Sequence, residues 1–359
     1  MLSQRVLNRT VLDRQFLLRR TDLPVLDVVD RLVGVQAQEN NAPYLGLWCR
    51  IDGFRHDALT ERLYARDLVR GSMFRGTQHM VTAVDYPWLR PLVQPVIERA
   101  WRGAFGRMMD GVELADLAAA AREALAGRTL TRPQVRDVLR ERWPDRDPLA
   151  LGWSVQALVP VVHPPPNGTW NKGGATPFVL ADEWLGRPLE AAPPVERLFL
   201  RYLAAFGPAS VADAQAFSGL TRLREPVDAL RPQLRVYRDE SGKELFDLPD
   251  APLADPDLPA PVRFLPEFDN LLVAHADRTR VVSDADRPRV ITGAVVRPTV
   301  LVDGTVAAIW RFTGQGAIEV EPFRKLSKVE RAGVVAEGRA LLAFAHPNTD
   351  KQEVVITPV

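Results

Sequence analysis

The chain of 359 residues contains one cysteine, Cys49, five histidines and five lysines. A lone thiol cannot close an internal disulfide, and one cysteine with scattered histidines offers no ligand spacing for zinc. A reducing cytoplasm is the natural setting, and no metal is expected. Long apolar runs are missing as well. Residues 1–20 carry a charge every few positions where a signal peptide would have an apolar core, and no later stretch approaches the ~20 apolar residues of a membrane span. A soluble, cytoplasmic protein without a membrane partner is expected. There is no excess of charge either: 46 basic against 45 acidic residues leave a formal net charge of +1. That excludes a uniformly basic coat, so any nucleic-acid surface must come from local clustering. The sequence also lacks a GxGxxG after a strand, a phosphate loop, an HExxH and a Gly-x-Ser-x-Gly elbow. Cofactor-dependent and classical hydrolase chemistry are therefore unsupported, and no cofactor is expected.

What is present is arginine, 41 of the 46 basic residues. Planar guanidinium groups suit phosphate and base edges, although a codon bias that also enriches alanine and proline would give the same skew. Hydrophobic residues make up 46% and charged residues 25%, enough apolar material for a core divided over two or three compact units.

Helices followed by strand pairs recur. Ser3 caps an apolar-periodic segment through Leu17, Pro24 opens a second helix ending near Gly34, and a third runs from His56 to about Asp67. Residues 68–74 and 77–83 then read as a hairpin. A long helix from about Ala83 to Gly106 leads to helices at 111–126, after Thr131 and after Asp147, and to two short strands flanking the glycine-rich segment 163–176. Helices after Pro194 and, from Ser210, over 210–220 and 223–230, with a hairpin turning at Ser241-Gly242, repeat the scheme. The spacing predicts three winged-helix units, at 1–110, 111–190 and 191–250. After a Pro/Asp-rich linker, residues 258–359 read as six short strands forming a small β-barrel or curled sheet, of which the barrel is the expectation, followed by a helix and a terminal strand. The class is α+β.

Four segments carry chemistry. Gln36 and Gln38, two amides at i and i+2, share one side of an extended segment and exchange hydrogen bonds without titrating; amides ending a helix are the alternative. Asn41 closes the same polar run. Strand alternation places Arg75, Thr77 and His79 on one face, suited to phosphate or to a polar edge strand. Trp170 and Lys172 pair an aromatic with a cation at a loop tip that either presses on bases or packs back on its own domain. Residues 264–270 bring Glu267 and Asp269, carboxylates for acid/base work or turn residues, and lead to His275, Arg278 and Arg280. The Asp303-Gly304 hairpin is either a tight turn or a wedge for a groove. No lysine neighbours the glutamines in sequence, so a Schiff-base lyase step is unsupported.

Taken in order, VQAQ at 35–38, FRGTQH at 74–79, PPPNGTW at 164–170, FGPAS at 206–210, FLPEFDNLL at 264–272 and VLVDG at 300–304 make the chain resemble the AlkZ-like winged-helix DNA glycosylases over nearly its whole length. Gln36-Ala37-Gln38 matches the family's pair of glutamines flanking an apolar residue. A glutamine at 38, where another branch has aspartate, resembles the azinomycin-type branch. The resemblance implies a C-shaped scaffold of three winged helices and a β-barrel, and a cleft sized for duplex DNA. It further implies catalysis by Gln36 and Gln38, and a β-hairpin needed for activity, for which Trp170 and Asp303-Gly304 both qualify. The implied substrate is double-stranded DNA bearing N7-alkylated purines, bulky adducts or interstrand crosslinks, hydrolysed at the N-glycosidic bond by a monomer. A non-catalytic transcriptional regulator and an interaction scaffold are the competing readings; a regulator is expected to dimerise on a palindrome.

Overall fold

The computed structural model describes residues 1–314, 316–349 and 352–359. It is an α+β protein whose helices and strands begin where local chemistry directs. The Ser3 hydroxyl accepts from Val6 N at 3.2 Å and starts helix Gln4–Arg14, which buries Leu7, Val11 and Leu12. Helix Val25–Arg31 follows Pro24. Residues Val35–Gln36 leave it as an edge strand of a three-stranded antiparallel sheet, paired to Gln78–Thr82, which pairs in turn with Leu68–Ser72. Helix Ala42–Trp48, wholly buried, runs directly on from the glutamine segment.

Two features depart from expectation here. The segment from Ala83 to Gly106 is two helices, Tyr86–Leu92 and Gln94–Phe105, meeting at Val93. Pro91 and Pro95 supply no backbone N–H and the ladder cannot pass through them. Arg75 lies in a single 3-10 turn, Phe74–Gly76, with φ 56°, so it does not share a strand face with Thr77 and His79.

Helices Leu114–Leu125, Arg132–Arg142 and Pro148–Leu158 come next. Thr131 N donates to the Gln134 side chain at 2.8 Å, and the Asp147 carboxylate receives Ala150 N at 2.8 Å. Strands Leu130–Thr131, Pro177–Leu180 and Val161–Val162 make a small sheet, leaving 163–176 as one long loop. Helices Val195–Phe206, Val211–Ser218 and Arg224–Leu230 precede the hairpin Arg235–Arg238/Glu244–Asp247. Most of the apolar interior is one connected cluster extending from Val11 to Ile356, with a small separate cluster of Leu2, Leu7 and Leu245 under the N-terminal helix.

The C-terminal region corrects the barrel. Its strands form an open five-stranded sheet in the order Glu353–Ile356, Ala317–Pro322, Thr305–Phe312, Thr299–Val302, Arg263–Leu265, and the two edge strands do not pair. The last strand runs parallel to Ala317–Pro322, which demands a crossover; helix Lys328–Ala345 supplies it and packs on the sheet, with Gly338 close to Val354 and Phe264. A face covered by a helix needs no closure to be buried. Residues 270–283, read as two strands, form a short 3-10 turn and loops, because the Asp269 carboxylate takes Leu271 N and the Asp277 carboxylate takes Thr279 N, both at 3.0 Å. A hairpin not singled out from sequence, Ile291–Thr292/Val295–Val296, stands apart from the large sheet.

Candidate active site

Gln36 lies on the buried edge strand opposite His79 and is only 6% exposed. Its Oε1 accepts from Ala37 N at 2.7 Å and Gln38 N at 2.8 Å, and its Nε2 donates to Thr77 Oγ1 at 3.0 Å. An amide oxygen has two lone pairs, so that of Gln36 is fully engaged. Gln38, two residues on, is exposed; its Oε1 accepts only Gln78 N at 3.2 Å, leaving one lone pair and the amino group to face solvent. The two glutamines thus differ in kind, one a brace and the other an available amide.

The sequence motifs converge around this pair. Asn270 Nδ2 donates to Gly34 O at 3.3 Å, just before the strand. Its Oδ1 receives the half-buried Arg75 at 2.9 Å and lies 3.4 Å from His79 Nε2; Arg75 also donates to Phe217 O. His79 is fully buried, and burial followed by the neighbouring Arg75 charge lowers its pKa to about 3. It is a neutral packing group here. Asp269, one residue earlier, holds Arg50 with two bonds of 2.9 Å.

The loop 163–176 comes from 130 residues away to form a wall. Asn41 and Asn171 clamp each other, with Asn41 Nδ2 donating to Asn171 Oδ1 and Asn171 N to Asn41 Oδ1, both at 2.8 Å. Asn40 Nδ2 donates to Lys172 O at 2.5 Å. Trp170 packs back, its ring 4.4 Å from His56, 5.6 Å from Tyr44 and 5.7 Å from Phe344, while Lys172 is exposed. The fold therefore brings the backbone of a lysine against Asn40, two residues past Gln38. An open cleft of about 760 Å³ results, lined among others by Glu39, Asn41, Lys172, Glu267, Arg297 and Arg311. Glu267 is half-buried in it; burial and then the Glu39 charge push its carboxyl pKa up.

Several expected contact residues are occupied elsewhere. Arg280 is buried and donates to Pro208 O at 3.2 Å. The Asp303-Gly304 turn does not project as a wedge: the Asp303 carboxylate pairs with Arg5 and Arg9, and a Cβ on Gly304 would meet Arg9, Asn8 and Leu12. His275 is buried against Phe206 O at 3.1 Å. Arg278 is half-buried, and burial followed by Arg287 lowers its pKa. The sequence reading missed Arg70, a charge within the otherwise uncharged run 68–74, which binds the motif's backbone from below. Among the described residues no three His, Cys, Asp or Glu side chains gather as metal ligands, and no helix is long and apolar enough to cross a membrane.

The family model described as DNA glycosylase AlkZ-like matches residues 29–344. The chain is 27% identical over 341 residues to an interstrand DNA cross-link repair glycosylase of Streptomyces sahachiroi, covering 87% of this chain and 88% of that one. It is also similar to the solved structure of the Streptomyces sahachiroi DNA glycosylase AlkZ, with a TM-score of 0.79 and 22% identity over 99% of this chain and 100% of the other, a likeness of fold.

Proposed function

The chain belongs to the AlkZ-like DNA glycosylase family, and from that premise we propose that it hydrolyses the N-glycosidic bond of N7-alkylated purines in double-stranded DNA, bulky adducts and interstrand crosslinks included. It acts as a cytoplasmic, nucleoid-bound monomer without cofactor. The observation that carries the reading is the pair of unlike glutamines, one braced and one available, on a segment whose next residues, Glu39, Asn40 and Asn41, line an open cleft. Alkylation at N7 makes the base a cation that departs neutral, so no strong general acid is required. What remains is to steady an oxocarbenium-like sugar and to place a water.

Gln38, with a free lone pair and a free amino group, orders that water; Gln36 holds the backbone that aims it. The oxygen of Gln36 is committed to two backbone N–H groups, so it acts on Gln38 more than on the substrate. An uncharged water-binding group accelerates less than a carboxylate would, which confines cleavage to bonds already labile and spares normal DNA. The cleft is open, which accommodates adducts too large for a closed base pocket.

The three helix-and-hairpin units, at 1–110, 111–190 and 191–250, are winged helices in this proposal, arranged as a C around the duplex, with 258–359 as a fourth unit. Phosphate contacts fall to Lys172 and Arg297 at the cleft, with Asn41 holding the wall, Trp170 stiffening it from behind and Thr77 bracing Gln36. Arg75 and His79 support the site from inside through Asn270, whereas Arg280 and the Asp303-Gly304 turn tie together other elements. The DNA-entering hairpin is Ile291–Thr292/Val295–Val296, whose Val295 is exposed and which leads into Arg297. Lys172 stands in water, as a phosphate contact does, and no Schiff-base step is assigned to it: the enzyme is monofunctional, and borohydride should trap no protein–DNA adduct during turnover. The deciding experiment is single-turnover release of free base from duplexes carrying N7-methylguanine or a bulky N7-guanine adduct. Release by the native protein, lost in Gln38→Ala with DNA binding retained, is expected; tight binding without release from either lesion would overturn the reading in favour of a DNA-binding regulator.

A further inference from the structure

Arg70 joins the two chain segments that make the site. It is 6% exposed on strand Leu68–Ser72. Its Nε donates to Ala37 O at 3.0 Å, one terminal nitrogen to Asn167 Oδ1 at 2.7 Å and the other to Gln38 O at 3.4 Å. No carboxylate forms a salt bridge with it among the described residues. A buried charge without a counter-charge is unfavourable in any core. Burial accordingly lowers the Arg70 pKa to about 10, with Glu39 opposing and Arg132 adding to the fall. The loop opposite is shaped to this side chain: a Cβ on Gly168, at φ +82°, would lie 2.9 Å from Arg70 Cδ.

We propose that Arg70 is a positioning residue for glycosidic-bond hydrolysis, its guanidinium fork fixing the carbonyls of Ala37 and Gln38 and the loop amide of Asn167 in one geometry. Gln36 Oε1 holds the N–H groups of the same two residues. Residues 37–38 are therefore gripped through both their N–H and their C=O groups, and the exposed Gln38 side chain springs from a fixed backbone. A lysine would keep the charge but not the fork, since one ammonium cannot span three acceptors held by a planar group. This inference rests on the glycosylase reading and names how its site is set.

The test compares the native protein, Arg70→Lys, Gln38→Ala and their double variant in single-turnover base release from N7-methylguanine duplex. DNA affinity, melting temperature and hydrogen exchange over residues 33–41 are measured alongside. Arg70→Lys should slow base release about 10- to 100-fold, the scale set by a misplacement near 1 Å, with affinity held within about twofold. The double variant should be no slower than Gln38→Ala, because Arg70 acts only through that amide; multiplicative losses, or an unchanged rate in Arg70→Lys, would overturn the proposal. Should Arg70→Lys fail to fold, Asn167→Ala removes one prong and should give a smaller loss that again vanishes in the Gln38→Ala background. If the native protein releases no base, the glycosylase reading fails by itself. Hydrogen exchange then decides on Arg70: faster exchange at Ala37 and Gln38 in Arg70→Lys at unchanged melting temperature sustains the positioning role, and unchanged exchange refutes it.

Discussion

The protein buries arginine in two ways. Along the seam between the N-terminal helix and the third unit, Arg14 meets the fully buried Asp247 in two bonds of 2.8 Å, and beneath the glutamine segment Arg50 meets Asp269 at 2.9 Å. Burial opposes the Arg50 charge, yet Asp269 and Cys49 outweigh it and its pKa rises. Around the glutamine pair, Arg70 and Arg75 are held instead by carbonyls and amides, and burial lowers both to about 10. The first arrangement cancels charge and glues elements. The second keeps positive charge beside the glutamine segment and uses the directionality of the fork, which suits a site that meets polyanionic DNA.

The largest expected effect breaks the neutralised half. Asp247→Ala strands Arg14 inside the protein, and removing one partner of a buried pair typically destabilises by about 3–5 kcal/mol. Denaturant unfolding should show a loss of that size, while base release per folded molecule stays native. A loss below about 1 kcal/mol would mean that the two halves do not differ in the way described.

Next in size is the glutamine contrast. Gln38→Ala should lower the single-turnover rate by about 10²–10³-fold, as removal of a positioned dipole does, with stability within about 0.5 kcal/mol of native since the side chain is exposed. Gln36→Ala should lose activity and also about 1–3 kcal/mol of stability, because Gln38 N is left without its acceptor. Equal stability in the two variants would erase the distinction between brace and available amide.

Acid sharpens the comparison further. His79 and His163 are both held near pKa 3 by burial, with Arg75 and Arg70 respectively as the next cause. Their unfolded values lie near 6.5, so the unfolded chain binds more protons below that pH. The stability that comes from burying them neutral is complete above about pH 6.5 and falls as pH drops towards 3, by about 1.4 kcal/mol per pH unit for each. Melting temperature followed from pH 7 to 5 should decline, and His163→Gln should decline less steeply. An identical slope would remove His163 from the account.

Much of this was legible in the sequence because the determinants are local. Ser3, Thr131, Asp147 and Ser210 mark helix starts, and each helix begins there. The glutamine pair and its flanking motifs were legible as a pattern. The break at Val93, the turns at Asp269 and Asp277, and the open C-terminal sheet escaped, since apolar runs of four to eight residues do not distinguish strand from loop once a carboxylate captures a nearby N–H. Arg70 escaped for another reason, as did the nearness of Lys172, a loop-tip cation in the sequence, to the glutamine segment. Their meaning lies in partners 33 and 132 residues away, a distance over which periodicity carries no information.

That long reach defines the smallest effect expected. The wall of the cleft is tied to the motif by the reciprocal amides of Asn41 and Asn171, both solvent-accessible, and by Asn40 on Lys172 O. Exposed amide bonds contribute about 0.5–1.5 kcal/mol each at most, and the packing of Trp170 on His56 and Tyr44 remains when they go. Asn171→Ala should therefore leave stability within about 1 kcal/mol of native. It frees Lys172 to wander from the cleft, so DNA affinity should weaken about two- to fivefold at low salt, with a shallower salt dependence than native that narrows the difference at high salt, because a phosphate contact and its released counterion are lost together. The base-release rate at saturating protein should remain native, since Arg70 still grips residues 37–38 through their carbonyls. If that rate fell with the affinity, wall and glutamine pair would move as one body, and the charge-bearing half would be a single rigid unit like the half that cancels its charge.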